Sequence, residues 1–435
     1  MRRDVVDPLG ADVDDAAVAH ASSFCFPVAS ILFSIPQQVR SKGLTGNVTT
    51  PLNTPPVWSH RREQQAREEA MRLFSLDSRR EFGVGKLAFS ACTLALFASV
   101  PLTETAAAPV CTATGFVRDA INLTAALINP GNVSGDVDAT GCNIGIYYGP
   151  GAKGHVENAN IHGANYFGIV NNGADVDVRN SSISEIGEKP FNGTQHGVAI
   201  YWAFGSNAKG NIEGNYVWNY QKGGIVVNGP NAKSNITQNT VIGLGPVSFI
   251  AQNGIQAGYG ADTQIKQNTV AGNSYTGANF ASSGGIIVVG GDCYGGAATV
   301  NTQVQGNTGL GNDIGVWFTN LDASCNPVAL STRNSAKNNA LVNNAVNNTT
   351  GNGAGPYQAG ISDQGSQDVI QDNYICGPGY PGTNTGGLFA IDVTATNAPT
   401  VKNNTVCGAA PTMAAAMASM LSPLAAGGAK ISPFK

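Results

Sequence analysis

Seven asparagines recur at one equivalent position of a repeat, and this feature constrains the fold of the chain more than any other. Each lies three residues after an apolar anchor, and usually two before another apolar residue: Asn215, Asn239, Asn268, Asn307, Asn339, Asn373 and Asn404. Buried amides need hydrogen-bond partners. A column of them therefore predicts stacked turns in which each asparagine bonds to the next, as in the asparagine ladders of stacked strands.

A second marker, glycine followed by an apolar residue, recurs upstream of these asparagines. It occurs at Gly145, Gly168, Gly197, Gly224, Gly254, Gly285, Gly315, Gly360 and Gly387. The intervals average about 30 residues, a period typical of solenoids. Each repeat offers a short apolar strand, a turn rich in Gly, Asn and Pro, and a second strand, with no amphipathic helix between them. The pattern predicts an all-β parallel solenoid of about nine to ten rungs with capping ends.

The repeats resemble those of the right-handed parallel β-helix superfamily, the pectate-lyase-like fold. The resemblance covers roughly Cys142 to Cys407 and is carried by segments such as 211–217 (NIEGNYV) and 235–242 (NITQNTVI). Proteins with this resemblance include polysaccharide lyases, glycoside hydrolases, uronate epimerases, phage tailspikes and adhesins. The resemblance implies a right-handed β-helix, whereas activity has to be argued from a site.

Composition limits the partners. Charged residues make up only 12% of the chain and the net charge is -4, which leaves no basic footprint for nucleic acid. Hydrophobic residues reach 42%, which favours a folded, turn-dense chain over disorder. We expect no cofactor, because P-loop and dinucleotide signatures are absent from the sequence. We also expect no metal site, since the sequence lacks tight Cys clusters and Gly-Gly-x-Gly-x-Asp calcium repeats.

Residues 71–107 read as an export signal, with a basic start, the apolar run Leu87 to Val100 and small residues before a cleavage site after Ala107. Ser78-Arg-Arg-Glu-Phe82 resembles the twin-arginine motif, so Tat and Sec routes both stay open. Residues 1–70 are either an unusual disordered extension or precede a true start at Met71. The expected location is periplasmic or secreted, with no integral membrane span after processing.

Six cysteines remain after the leader, an even number that suits disulfides in an oxidising compartment. Their spacing predicts sequential pairs: Cys111 with Cys142, Cys293 with Cys325, and Cys376 with Cys407. Cys376 and Cys407 each follow a ladder asparagine by three residues. They would therefore lie on neighbouring strands about 4.8 Å apart, within the Cα range of a disulfide.

The ends of a solenoid need covers, because exposed strand edges template aggregation. We assign 108–140 to an N-terminal cap, 141–408 to the β-helix and 409–435 to a C-terminal cap or tail. Within the first cap, Val117 to Ile128 is predicted to be a short amphipathic helix, with a strand as the alternative.

Most charged residues fall into columns of stacked strands and are predicted to be structural. One polar strip remains, at the edge of the third to fifth rungs. The predicted catalytic residues are His196, Lys222, Tyr201 and Glu188, and the predicted substrate-binding residues are Gln195, Trp202, Gln252, Asn253 and Trp317. Elimination on a uronate needs a base, a cation and a proton donor, which His196, Lys222 and Tyr201 can supply.

Aromatic residues of the first strands can form an outer surface on which sugars stack. Tyr147, Tyr201, Trp317 and Phe389 are predicted to face solvent, with Trp202 joining them; a slip of one residue would reverse this. The first hypothesis is an exported β-helix protein that binds a polysaccharide or cell-surface glycan and cleaves it by elimination. The second is a non-enzymatic surface or adhesion solenoid, favoured by sparse charge and the lack of a recognised catalytic motif.

Overall fold

The computed structural model describes residues 109–278, 281–351, 355–393 and 399–407. Their first layer is an 11-stranded sheet, here called sheet A. Its strands are, in order, Thr112–Arg118, Ile121–Ile128, Ile144–Tyr148, Phe167–Asn171, Val198–Trp202, Gly223–Asn228, Asn253–Gly258, Gly284–Gly290, Ile314–Asn320, Gln358–Gln364 and Leu388–Val393. The first two strands pair antiparallel, and each later strand adds parallel to its predecessor.

The other described strands form an 18-stranded sheet made of two parallel ladders. Asn132–Asp138 and Lys153–His162 run through both ladders. Ladder B continues with Asp175–Arg179, Ile212–Glu213, Lys233–Thr237, Asp262–Lys266, Gln303–Gln305, Ser335–Lys337, Val369–Gln371 and Thr400–Lys402. Ladder C continues with Ser182–Ser184, Tyr216–Trp218, Thr240–Val247, Thr269–Tyr275, Thr308–Leu310, Ala340–Val342, Tyr374–Cys376 and Thr405–Cys407. A single-turn 3₁₀ helix covers Asp292–Tyr294. The predicted parallel β-helix fold is confirmed.

The interior is built from three stacked columns of aliphatic residues, one each from sheet A, ladder B and ladder C. Sheet A contributes Ile146, Ile169, Ile200, Ile225, Ile255, Ile286, Val316 and Ile361. Ladder B contributes Val156, Val178, Ile212, Ile236, Ile265, Val304, Ala336 and Ile370, and ladder C contributes Ile161, Ile183, Val217, Val241, Val270, Leu341 and Ile375. These columns form one continuous core up to Ile370 and Ile375, with Gly309 in the ladder C position between Val270 and Leu341. In the last turn, Val401 and Val406 are 47% and 38% exposed.

The glycine marker has a steric cause. A Cβ on Gly145 would lie 2.5 Å from the Gly168 carbonyl oxygen of the next turn, and one on Gly224 would lie 2.5 Å from the Gly254 oxygen. The marker fails at two turns. Ala199, rather than Gly197, lies level with Gly224, and Ala390, rather than Gly387, lies level with Gly360.

The predicted asparagine ladder runs without a break through all seven members. Each amide nitrogen donates to the Oδ1 of the next asparagine over 2.9–3.0 Å, from Asn215 to Asn404. The same oxygen also accepts from the backbone N–H of the preceding asparagine. Every side chain also donates back to a carbonyl, such as that of Ile236 for Asn268. The amide groups thereby satisfy one another at the turn between ladders B and C.

The N-terminal segment is where the helix prediction is wrong. Thr112–Arg118 and Ile121–Ile128 form a β-hairpin, as the alternative had it. Asp119 and Ala120 lie at its tip with φ of 50° and 61°, the left-handed pair of a tight hairpin turn. The second strand continues sheet A, so edge pairing outweighs the helical spacing of the apolar residues.

All three predicted disulfides are present. Their Cα atoms lie 5.3 Å apart in Cys111–Cys142, 5.0 Å in Cys293–Cys325 and 4.9 Å in Cys376–Cys407. The last pair is in strand register, as the asparagine spacing indicated. The first ties the base of the N-terminal hairpin to the strand entering sheet A.

Two groups of predictions lie outside the described residues: the extension and export signal at 1–107, and the C-terminal cap at 409–435. Among the residues that are described, no helix has the length and apolar character needed to cross a membrane.

Candidate functional site on the outer face of sheet A

Strand register forms one column on the outer face of sheet A, and two of the predicted site residues, Tyr201 and Trp317, lie in it. From the N-terminal end it reads Tyr147, Val170, Tyr201, Val226, Gln256, Ile287, Trp317, Ser362 and Asp392. The column changes character along the coil, since it is aromatic and aliphatic up to Val226 and largely polar after it.

His196 and Glu188 come together at the edge of the N-terminal half. The His196 Nε2 lies 2.7 Å from Glu188 Oε1, and its Nδ1 lies 3.9 Å from Asp119 Oδ2 at the hairpin tip. The ring is 8% exposed and stacks on Tyr166, with centroids 3.8 Å apart. Burial and the nearby Asp119 and Glu188 carboxylates raise the pKa of the Tyr166 hydroxyl. The imidazole therefore bridges two carboxylates.

A buried amide organises the loop that holds Glu188 and His196. The Gln221 Oε1 accepts from the backbone N–H groups of Glu188 and Asn192, both at 3.1 Å. Its Nε2 donates to the Thr194 carbonyl and hydroxyl at 2.8 Å. Gln221 is fully buried, so the loop is built around this side chain. The predicted residue Gln195 is exposed on the loop, and its side chain donates to the Gly193 carbonyl at 3.0 Å.

Lys222 and Tyr201 do not face His196. The Lys222 Nζ donates to the Ala251 carbonyl at 2.9 Å, one turn further along, and burial lowers its pKa to about 8. Tyr201 is 3% exposed, and its ring stacks on Phe167 with centroids 4.9 Å apart. Its hydroxyl accepts from the Phe204 N–H at 3.2 Å. Within the described residues, Lys222 forms no ion pair with Glu188 and no hydrogen bond to His196.

Two residues predicted to contact substrate, Trp202 and Gln252, are buried instead of facing solvent. Trp202 is fully buried inside the coil, so the prediction that it reaches solvent is wrong. Gln252 is also fully buried; its Nε2 donates to the Tyr220 and Gln221 carbonyls and its Oε1 accepts from the Leu244 N–H. Both positions serve the scaffold. Alternation along the strand that places Tyr201 outward requires Trp202 to point inward.

The N-terminal aromatic residues lie outward but are covered. Tyr147 is 5% exposed and packs with Phe116 of the hairpin, their ring centroids 6.0 Å apart. Phe116 also approaches Phe167, with centroids 6.3 Å apart. The prediction that Tyr147 and Tyr201 are solvent-facing is therefore wrong, because the aromatic residues pack on one another and under the hairpin.

The C-terminal half presents part-exposed side chains that can reach a ligand. Four of them define what we call the amide–tryptophan strip: Asn253, Gln256, Trp317 and Gln364. The Trp317 Nε1 donates to Gln364 Oε1 at 3.3 Å, and Asn253 Nδ2 lies 3.4 Å from Gln256 Oε1. Gln256 in turn donates to Asn228 Oδ1 at 3.0 Å. Gln256 and Gln364 were missed from the sequence, although Gln256 follows its marker glycine at the same offset as Trp317.

The end of the strip carries one carboxylate. The Tyr357 hydroxyl donates to Asp392 Oδ2 at 2.6 Å and lies 2.9 Å from Ser362 Oγ. Phe389, predicted to be outward, is part-exposed and packs near Tyr357 with centroids 5.9 Å apart. No group of three or more His, Cys, Asp or Glu side chains in the described part of the chain has the arrangement of a metal site.

Comparison with known proteins agrees with this architecture. The family model described as "Right handed beta helix region" matches residues 131–308. The chain is a parallel β-helix repeat protein. No curated protein matches it in sequence.

Solved structures with a similar course include a tailspike protein double mutant of E. coli bacteriophage HK620, at 14% identity and a TM-score of 0.41. That match covers 66% of this chain and 57% of the tailspike chain. A second is the A-module of the mannuronan C-5 epimerase AlgE6 of Azotobacter vinelandii, at 14% identity and a TM-score of 0.27, covering 62% of this chain and 69% of that one.

Proposed function

We propose that this protein is exported and binds an extended polysaccharide along the amide–tryptophan strip of sheet A. The observation that carries the proposal is the strip itself, in which part-exposed Trp317 has the Gln364 amide on the next strand and the Asn253 and Gln256 amides two strands before it, with buried Ile287 between. Carboxamides donate and accept hydrogen bonds at once, as sugar hydroxyls require. The indole offers a flat apolar face with a polar edge.

The geometry of the strip suits a chain-like ligand. Gln256, Ile287 and Trp317 occupy consecutive strands in register, and Gln364 lies on the next strand. Neighbouring strands are about 4.8 Å apart, so the strip extends roughly 14 Å along the coil. The amide contacts at 3.3 and 3.4 Å are longer than the usual hydrogen bond, so ligand hydroxyls can replace them at small cost.

Two features support the proposed export: the disulfides and the predicted signal sequence. Three disulfides between neighbouring turns suit an oxidising compartment. The predicted signal sequence at 71–107 points the same way.

Elimination on a uronate finds less support than binding alone. The reaction needs a base, a cation and a proton donor on one substrate. Here His196 lies between Glu188 and Asp119, Tyr201 is buried, and Lys222 is directed to the Ala251 carbonyl. These contacts favour the second candidate function, a surface solenoid that binds glycan without cleaving it.

Affinity electrophoresis through gels containing alginate, polygalacturonate, xylan or soluble β-glucan tests the binding proposal. We expect retardation by at least one polymer, and binding about tenfold weaker in Trp317→Ala, equivalent to about 1.4 kcal/mol. Leu330→Ala, an exposed apolar residue outside the strip, is the matched control. Unchanged mobility in all four gels would refute the proposal.

The same protein incubated with alginate and polygalacturonate tests for cleavage. We expect no rise in the ultraviolet absorbance of unsaturated uronate. A rise that is abolished by His196→Ala would establish elimination at the Glu188–His196 pair and reverse our preference.

A further inference from the structure

The outer face of ladder C carries an exposed aromatic pair. Tyr216 is 46% exposed and Trp218 is 38% exposed, and their ring centroids lie 6.3 Å apart at 40°. Val217 between them is fully buried and anchors the strand, so neither ring is needed for the core. Within the described residues, the Tyr216 hydroxyl and the Trp218 N–H have no hydrogen-bond partner. Both rings thus have free polar ends.

Hydroxyl groups flank the pair on both neighbouring strands. Tyr216 lies between Ser182 and Thr240 in strand register. The side-chain oxygens of these two residues also have no hydrogen-bond partner among the described residues. Tyr and Trp also occur at protein interfaces, but free hydroxyls beside amphipathic rings favour a ligand that is itself rich in hydroxyls.

The charged residues on and near this face indicate which class of glycan it can bind. The ladder C strands from Ser182–Ser184 to Thr405–Cys407 contain no Lys or Arg. The ionised groups on the two preceding turns include Asp136 and Asp138, beside His162 at 3.3 and 3.8 Å. On the ladder C strands themselves, a uronate polymer would meet no Lys or Arg side chain to balance its charge. An uncharged glycan suits the face.

We propose that Tyr216 and Trp218 form a second glycan-binding site, on ladder C, that takes uncharged sugar chains. The site extends the proposed function to a different surface of the coil and depends on different residues. A protein with two such surfaces would bind polysaccharide at two points around its circumference, which raises its hold on a polymer through multivalency.

Isothermal titration calorimetry with cellohexaose, xylohexaose, mannohexaose and oligogalacturonate tests the site on the full-length protein. We expect at least one neutral hexaose to bind, and at least tenfold weaker binding at this site in the Tyr216→Ala/Trp218→Ala double variant. Tyr216→Phe, which keeps the ring, should bind within about threefold of the wild type. Because both rings are exposed, the melting temperature of the double variant should change little.

Trp317→Ala separates this proposal from the one for sheet A. It should leave the ladder C affinity intact. Loss of neutral-sugar binding in Trp317→Ala but not in the double variant would overturn the ladder C site while supporting sheet A. Failure of every neutral hexaose to bind would also overturn it. If the ladder C site binds and Trp317→Ala changes no measured affinity, only the sheet A proposal would be overturned.

Discussion

The two halves of the outer face of sheet A use the same strand positions for different purposes. In the N-terminal half, Tyr147 and Tyr201 are at most 5% exposed and pack with Phe116 and Phe167. In the C-terminal half, Gln256 and Trp317 occupy the same column but stay part-exposed. An outward aromatic can thus meet a ligand only where nothing covers it, and Phe116 of the N-terminal hairpin packs against Tyr147.

The contrast continues on the inner side of the same sheet. The column that holds Tyr148 and Trp202 in the N-terminal turns holds Asp363 near the C-terminal end. Asp363 is fully buried beside Asp368, whose Oδ1 accepts from the Thr332 hydroxyl and the Asn334 N–H at 2.6 Å. Burial and the Asp363 carboxylate raise the pKa of Asp368 to about 8. The inner column therefore buries an amide, Asn171, near its N-terminal end and a carboxylate, Asp363, near its C-terminal end.

The largest effect is expected from Tyr201→Ala. Removing a buried, stacked ring should lower the free energy of unfolding by about 3–5 kcal/mol, because the cavity lies between the sheet and its aromatic neighbours. Chemical denaturation measures the change. Tyr201→Phe keeps the ring and should lose less than about 1 kcal/mol. If Tyr201→Ala also lost less than about 1 kcal/mol, the ring would not be part of the packing. The proposed contrast between the two halves would then be wrong.

A smaller change per pH unit is expected from the Asp363–Asp368 pair, spread over a window of about four pH units. The folded protein holds a proton on Asp368 that the unfolded chain releases near pH 4, so the folded state binds more protons between about pH 4 and 8. Stability should fall as pH rises through this window, by up to about 1.4 kcal/mol per pH unit for one proton.

Asp368→Asn tests this assignment, because an amide keeps the acceptor oxygen without a titrating proton. The slope of unfolding free energy against pH should flatten between about pH 6 and 8. Below pH 6 a slope should remain in the variant, because burial raises the pKa of Asp313 to about 6. An unchanged slope in Asp368→Asn would assign the pH dependence to other groups.

The periodic interior could be predicted from the sequence, and the site could be predicted only in part. Asn215 to Asn404 and the Cys376–Cys407 pair were found because each turn repeats one stacking environment. The outer column carries no such repeat, since Tyr201, Gln256 and Trp317 share a position but little chemistry. Gly197 also misled the register, because Ala199 fills the glycine position of that turn.

Contacts between segments distant in the sequence could not be predicted either. The approach of Asp119 to His196, and of Phe116 to Tyr147, depends on how the hairpin folds over the sheet. The role of Gln221 in holding the loop depends on a bend between turns. Neither has a spacing signature, whereas His196 and Glu188 could be paired because one loop contains both.

Hydroxyl-radical footprinting of the protein with and without a polysaccharide that retards it tests the central claim most directly. Oxidation of Trp317 should fall several-fold when the glycan is bound, while Tyr147 and Tyr201 should be oxidised little in either state because they are at most 5% exposed. Unchanged oxidation of Trp317 in the bound state, or protection confined to other surfaces, would contradict the assignment of the C-terminal half of sheet A as the binding face.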